Sequence, residues 1–110
     1  MAVTTRILGQ NAPSATTLTD LYSVASGKQT TISSITVTNR SSTATRFRLS
    51  AAPSAAADAL SQYFSYDEPI PGTETIVITA GITLAATDKI RCYATDATLT
   101  FSCFGAEEDV

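Results

Sequence analysis

Between residues 45 and 51 the chain alternates without a fault: Phe47 and Leu49 are apolar, and Arg46, Arg48 and Ser50 stand around them. A strand turns successive side chains to opposite faces, so such a run buries one side and wets the other. The same period of two recurs at residues 3–8, 17–24, 30–39, 62–67, 74–79, 81–84, 89–94 and 99–104. Turn-forming residues separate the runs, among them Ser26-Gly27-Lys28, Asn39-Arg40-Ser41-Ser42, Pro53 and Pro69-Ile70-Pro71-Gly72. Only a bend at Gly81 parts 74–79 from 81–84. No long stretch repeats at helical spacing; the Ala-rich residues 54–60 allow one or two turns, too few to stand alone. The pattern predicts an all-β fold, a single antiparallel β-sandwich of Ig-like or jelly-roll type, with about eight short strands. The segment 95–98 reads as a hairpin turn between the last two strands.

Size and composition agree. A chain of 110 residues fits one domain spanning 1–110, and 44% hydrophobic with 15% charged residues is a globular balance. Thr and Ser supply 31 of the 110 residues, so a wet sheet face can be polar here without being charged. The net charge of −3 argues against a nucleic-acid surface and against docking on anionic lipid. No apolar run approaches the ~20 residues of a membrane span. The start, Met1-Ala2-Val3-Thr4-Thr5-Arg6, has no apolar stretch behind a basic end and predicts no secretory leader. In that setting Cys92 and Cys103 are expected as free thiols; in a 95–98 hairpin they sit diagonally, too far apart for a relaxed bridge.

The sequence contains no histidine, which removes the commonest general base and metal ligand. No CxxC pair, P-loop or dinucleotide fingerprint is present. The expectation is no enzyme, no cofactor and no metal. What remains is contact chemistry. Arg46 and Arg48 share the face opposite Phe47 and Leu49, a stripe suited to acidic partners. Alternation groups Phe64 with Tyr66 as core and sets Tyr63 opposite them, as an interface residue. Arg6, in the N-terminal segment 2–6, is the fourth candidate. Residues 106–110 carry Glu107-Glu108-Asp109 and read as a short flexible acidic tail.

The set Met1-Ala2-Val3-Thr4-Thr5-Arg6-Ile7-Leu8-Gly9-Gln10, Leu21-Tyr22, Ser34-Ile35-Thr36-Val37-Thr38-Asn39-Arg40, Gly81-Ile82-Thr83-Leu84-Ala85-Ala86-Thr87-Asp88 and Leu99-Thr100-Phe101-Ser102-Cys103-Phe104-Gly105 resembles a family of small tailed-bacteriophage virion proteins. Residues 53–62 depart from that family's pattern. The resemblance implies a β-sandwich structural protein of the virion, assembled in the bacterial cytoplasm, with no catalytic residues. It favours a capsid decoration or cement protein whose partners are the major capsid protein, other phage structural proteins and copies of itself. A neck, tail or fibre component is the alternative. A third reading is a host-surface carbohydrate-binding module, with Tyr63 and Tyr93 stacking on sugar.

Overall fold

A computed structural model describes residues 3–79 and 81–110. The described residues form nine strands: β1 (Val3–Asn11), β2 (Thr19–Ser23), β3 (Lys28–Asn39), β4 (Thr45–Ala52), β5 (Tyr63–Ile70), β6 (Thr75–Ile78), β7 (Ile82–Leu84), β8 (Lys89–Ala94) and β9 (Leu99–Asp109). They form two antiparallel sheets packed face to face. The first runs β1-β9-β3-β6, with β7 also on β3; the second runs β2-β8-β4-β5. The all-β sandwich expected from the alternation is therefore the fold, with β1, β3, β4, β5 and β9 each longer than its run of alternation.

The pairing is nested. β4 pairs β5, β3 pairs β6 and β7, β2 pairs β8, and β1 pairs β9, with successive pairs falling in alternate sheets. One long antiparallel ladder rolled on itself gives this order, which makes the sandwich a jelly roll rather than an Ig-like fold. β6 and β7 act as one interrupted strand: β6 lies against Ile35–Thr38 and β7 against Thr30–Ile32. Ser33, the extra residue where β3 bulges between Ile32 and Ser34, sits near that gap.

Ile35, Val37, Phe47, Leu49, Ile90 and Phe101, all placed inside by their period, are buried. Phe47 of the second sheet meets Phe101 of the first edge-to-face, with ring centroids 6.0 Å apart. Asn39 is the largest buried polar side chain. Its amide donates to Thr43 O and Pro71 O and accepts from Ser41 N, joining the β3–β4 and β5–β6 turns. At Gly9 a Cβ would lie 2.1 Å from Leu21 O, so glycine is what lets β1 of one sheet touch β2 of the other.

Four expectations are corrected. Residues 95–98 do not close a hairpin: β8 pairs β2 and β4, whereas β9 pairs β1 and β3. Ala94 and Leu99 are both buried, and the four residues between them carry the chain across the core from sheet to sheet. Thr95 N donates to Arg46 O, and Asp96 accepts from the Thr45 hydroxyl. Cys92 and Cys103 are free and buried, but they stand on opposite sheets rather than diagonally on one. Burial pushes their thiols up to about 12 and about 11.

Pro69 does not end a strand. β5 runs through it to Ile70, opposite Arg46 and Thr45 of β4. β5 is an edge strand, and there the missing N–H of proline need leave no ladder partner unpaired.

The acidic end is not a flexible tail either. β9 continues to Asp109, pairing with β1 as far as Val3 and with β3 as far as Lys28. Alternation carries Glu107 onto the inner face, where the Tyr22 hydroxyl donates to its Oε2 at 2.6 Å. Arg6 Nη2 reaches Oε1 at 2.6 Å. Lys28 bonds Asp109 and Gln29 bonds Glu108. Mutual repulsion is outweighed because each carboxylate meets its own donor across the ladder. The Tyr22 hydroxyl and the Arg6 guanidinium hold Glu107 below its ordinary value of 4.5. Tyr22 itself is raised to about 12, chiefly by burial and then by its bond to Glu107.

Phe47→Ala opens a cavity between the sheets and is expected to cost about 3–5 kcal/mol in urea unfolding. The Glu107 carboxylate stabilises the fold above its unfolded value and stops doing so as pH falls through its depressed folded value. Glu107→Gln should therefore cost about 1–2 kcal/mol at neutral pH, from one charged hydrogen bond and a half-exposed ion pair. The gap between wild type and variant should close as pH falls through that depressed value. Melting temperatures of the two across acid pH check this; parallel curves contradict it.

Candidate interaction surface

The outer face of the β2-β8-β4-β5 sheet collects most of the contact chemistry. β8 buries Ile90, Cys92 and Ala94 and therefore turns Lys89, Arg91 and Tyr93 outward. β4 buries Phe47 and Leu49 and turns Arg46 and Arg48 to the same side. Arg48 stands directly opposite Tyr93 in the ladder.

β5 is irregular. Its register against β4 runs Ser50↔Tyr63, Leu49↔Ser65, Phe47↔Glu68, so β5 carries an extra residue in each interval. Asp67 takes a left-handed φ of 52° within the second bulge. Asp and Asn tolerate that conformation better than most non-glycine residues. The bulges defeat simple alternation, and Tyr63 and Tyr66 end on one face with ring centroids 5.2 Å apart at 88°.

Arg48 is the centre of the arrangement. Its Nε and Nη2 donate to the two Asp67 carboxylate oxygens at 2.7 and 3.3 Å, a bidentate pair. The guanidinium carbon lies 4.1 Å from the Tyr66 centroid and 4.6 Å from the Tyr93 centroid. One planar cation is thus held by two rings and a carboxylate, geometry that a lysine does not reproduce. The bond from Arg48 lowers the Asp67 carboxyl. Arg46 Nη1 donates to Asp67 O at 3.0 Å and remains exposed.

The Ala-rich loop borders this face. Its backbone forms two 3-10 turns, Pro53–Ala55 and Leu60–Gln62, more broken than a helical turn or two. Ser54 and Ala55 have left-handed φ values of 52° and 55°. Asp88 steadies the first turn, accepting from Ser54 N at 2.8 Å and from Ala85 N at 2.9 Å. Arg91 donates to Ala56 O at 2.8 Å and faces Asp20, which also takes Lys89 at 2.7 Å. The Lys89 bond is the main cause of the lowered Asp20 carboxyl. Tyr63 is raised by desolvation and by its bond to Asp58 in the loop. Leu60 and Tyr66 project from this region, 78% and 51% exposed.

Of the four sequence candidates, Arg46, Arg48 and Tyr63 fall on this one face. Arg6 does not: it lies on β1 of the other sheet, bonded to Glu107. Phe64 and Tyr66, expected in the core, are both exposed, because β5 is an edge strand and its bulges break the alternation. Sequence reasoning missed Tyr66 and Asp67 as partners of Arg48. The outward run Lys89-Arg91-Tyr93 was the one usable signal, since its period places Tyr93 on the same sheet face as the buried face's complement. Among the described residues no group of three or more Cys, Asp or Glu is placed to hold a metal ion. Nor, among the described residues, is any helix long and apolar enough to cross a membrane.

Neither a scan against protein-family models nor a search of curated proteins finds a match for this chain.

Proposed function

We propose that this protein is a structural component of a bacteriophage virion. It docks on another structural protein through the outer face of the β2-β8-β4-β5 sheet. Its place is that of a capsid decoration or cement protein, with the major capsid protein as partner. The observation that carries the docking face is the Arg48 clamp. Tyr and Arg are the side chains most enriched at interface hot spots, and a guanidinium already fixed by two rings and a carboxylate loses little freedom on binding. Arg46, exposed beside it, is the cation left to meet an acidic partner, and Leu60 and Tyr66 supply apolar contact at the rim.

The sequence resemblance supports the virion, and so does the fold by analogy, because jelly rolls recur in viral capsid proteins. They recur in lectins too. Against sugar stacking, one face of Tyr93 is taken by Arg48 and the Tyr63 ring abuts Tyr66. A neck, tail or fibre position uses the same face, and copy number separates it from the shell. With no histidine in the chain, a Ser-His-Asp or Cys-His arrangement cannot be assembled from it alone.

The test begins with mass spectrometry of purified particles of the phage that encodes the protein. Copies in the hundreds support the shell, and a single ring's worth moves the protein to the neck or tail. Add-back to particles lacking the protein follows, with wild type, Arg46→Glu and Leu60→Ala/Tyr66→Ala. These side chains are exposed, so melting temperatures should hardly move. Rebinding should weaken about tenfold or more in each variant, as for a hot-spot contact. Absence from the purified virion overturns the reading. Unchanged rebinding of both variants overturns the docking face.

A further inference from the structure

We propose that the free edge of β1 pairs with the same edge of a second copy, joining two first sheets into one continuous sheet across a two-fold axis. This goes beyond the docking reading and uses the opposite sheet.

Four strand edges end the two sheets, and three are blunted. β5 carries two bulges and Pro69. β2 has five residues and a bulge between Asp20 and Tyr22. The β6–β7 edge is split into strands of four and three residues. Short, bulged or proline-bearing edges are the usual guards against edge-to-edge pairing. β1 is different. From Val3 to Ile7 it follows β9 in unbroken register, Val3↔Glu108 to Ile7↔Phe104, and every one of those five residues is exposed. The stretch has no proline, glycine or lysine. Its one charge, Arg6, is already matched by Glu107 of its own chain.

The segment is complementary to itself. Antiparallel pairing centred on Thr5 sets Thr5 against Thr5 of the second copy, Thr4 against Arg6, and Val3 against Ile7. Val3, Thr5 and Ile7 share the outer face, so the two most apolar residues become a cross-strand pair, made twice by symmetry. Val3 and Ile7 are otherwise 62% and 52% exposed. Centring on Arg6 sets two guanidinium groups against each other, and centring on Thr4 sets Ile7 against position 1, outside the described residues. The Thr5 register is the one that uses all five residues. Unpaired N–H and C=O groups along the edge supply the ladder.

Five residues a side bury far less than the ~1,200 Å² of a standard interface, so the dimer is weak in solution. Sedimentation equilibrium of the full chain up to about 1 mM should show reversible association towards twice the 11.5 kDa chain mass. Amide exchange at Val3–Ile7 should slow as concentration rises. Two double variants test the register. V3K/I7K sets lysine against lysine and should weaken association about tenfold. V3K/I7E removes the same apolar pair but sets lysine against glutamate, and should return affinity to within about threefold of wild type. A wild type that stays monomeric throughout, or two double variants that behave alike, overturns the proposal. Neither outcome bears on Arg46 and Tyr66, which lie on the other sheet, or on Leu60 in the loop beside it.

Discussion

The ladder between β3 and β9 is the constraint on which the other elements depend. It runs from Lys28↔Asp109 to Asn39↔Leu99 and fills the middle of the first sheet. β1 has no partner in that sheet but β9, and β6 and β7 have none but β3. Its ends are far apart in sequence, since Lys28 and Asp109 are 81 positions distant. Closing so long a loop costs chain entropy before any contact offsets it, so topology of this kind folds slowly and as a unit. The second sheet gains little without it, because Phe47, Leu49 and Ile90 are buried in one cluster with Phe101, Val37 and Ile35 of the first sheet.

That ladder also explains why the C-terminal acids are ordered. The inner face of β3 and β9 is apolar from Ile32 and Cys103 inward, then becomes polar at Thr30, Glu107, Lys28 and Asp109. Tyr22 is the last residue of the second sheet to reach across, and it bonds both Thr30 and Glu107. Beyond it the first sheet runs on with its inner face wet, and ion pairs replace packing. The charges a sequence reading assigns to a frayed tail are what a strand needs where its cover ends.

Alternation was a sound guide wherever strands are regular and buried on one side. It placed Phe47, Leu49, Ile35, Val37, Ile90 and Phe101 inside and Arg46 and Arg48 outside, and from that the sandwich follows. It carried no information about partners. The four residues between Ala94 and Leu99 suit a hairpin and a crossing of the core equally well, and only burial on both opposing sheets decides between them. The period also fails wherever one extra residue enters a strand. β5 has two such residues, so Tyr66 and Asp67 were assigned away from Arg48, and the middle of the site was illegible although Arg46, Arg48 and Tyr63 were found.

The same irregularity separates the two surfaces by what they are able to do. In β5 the bulges turn Tyr66 and Asp67 onto Arg48, and with Pro69 they spoil the edge as a template for another strand. What remains is a patch suited to recognition through side chains, the kind in which affinity rests on a few aromatic and guanidinium contacts. In β1 the single bulge falls at Leu8, after Ile7, and leaves the outer five residues straight. In the pairing proposed for that edge, the backbone carries the recognition and side chains only set the register. A molecule with one contact of each kind, on opposite sheets, can join a copy of itself while its other face holds a different protein. Weak contacts so arranged reinforce one another in an assembly, because each one made raises the effective concentration for the next.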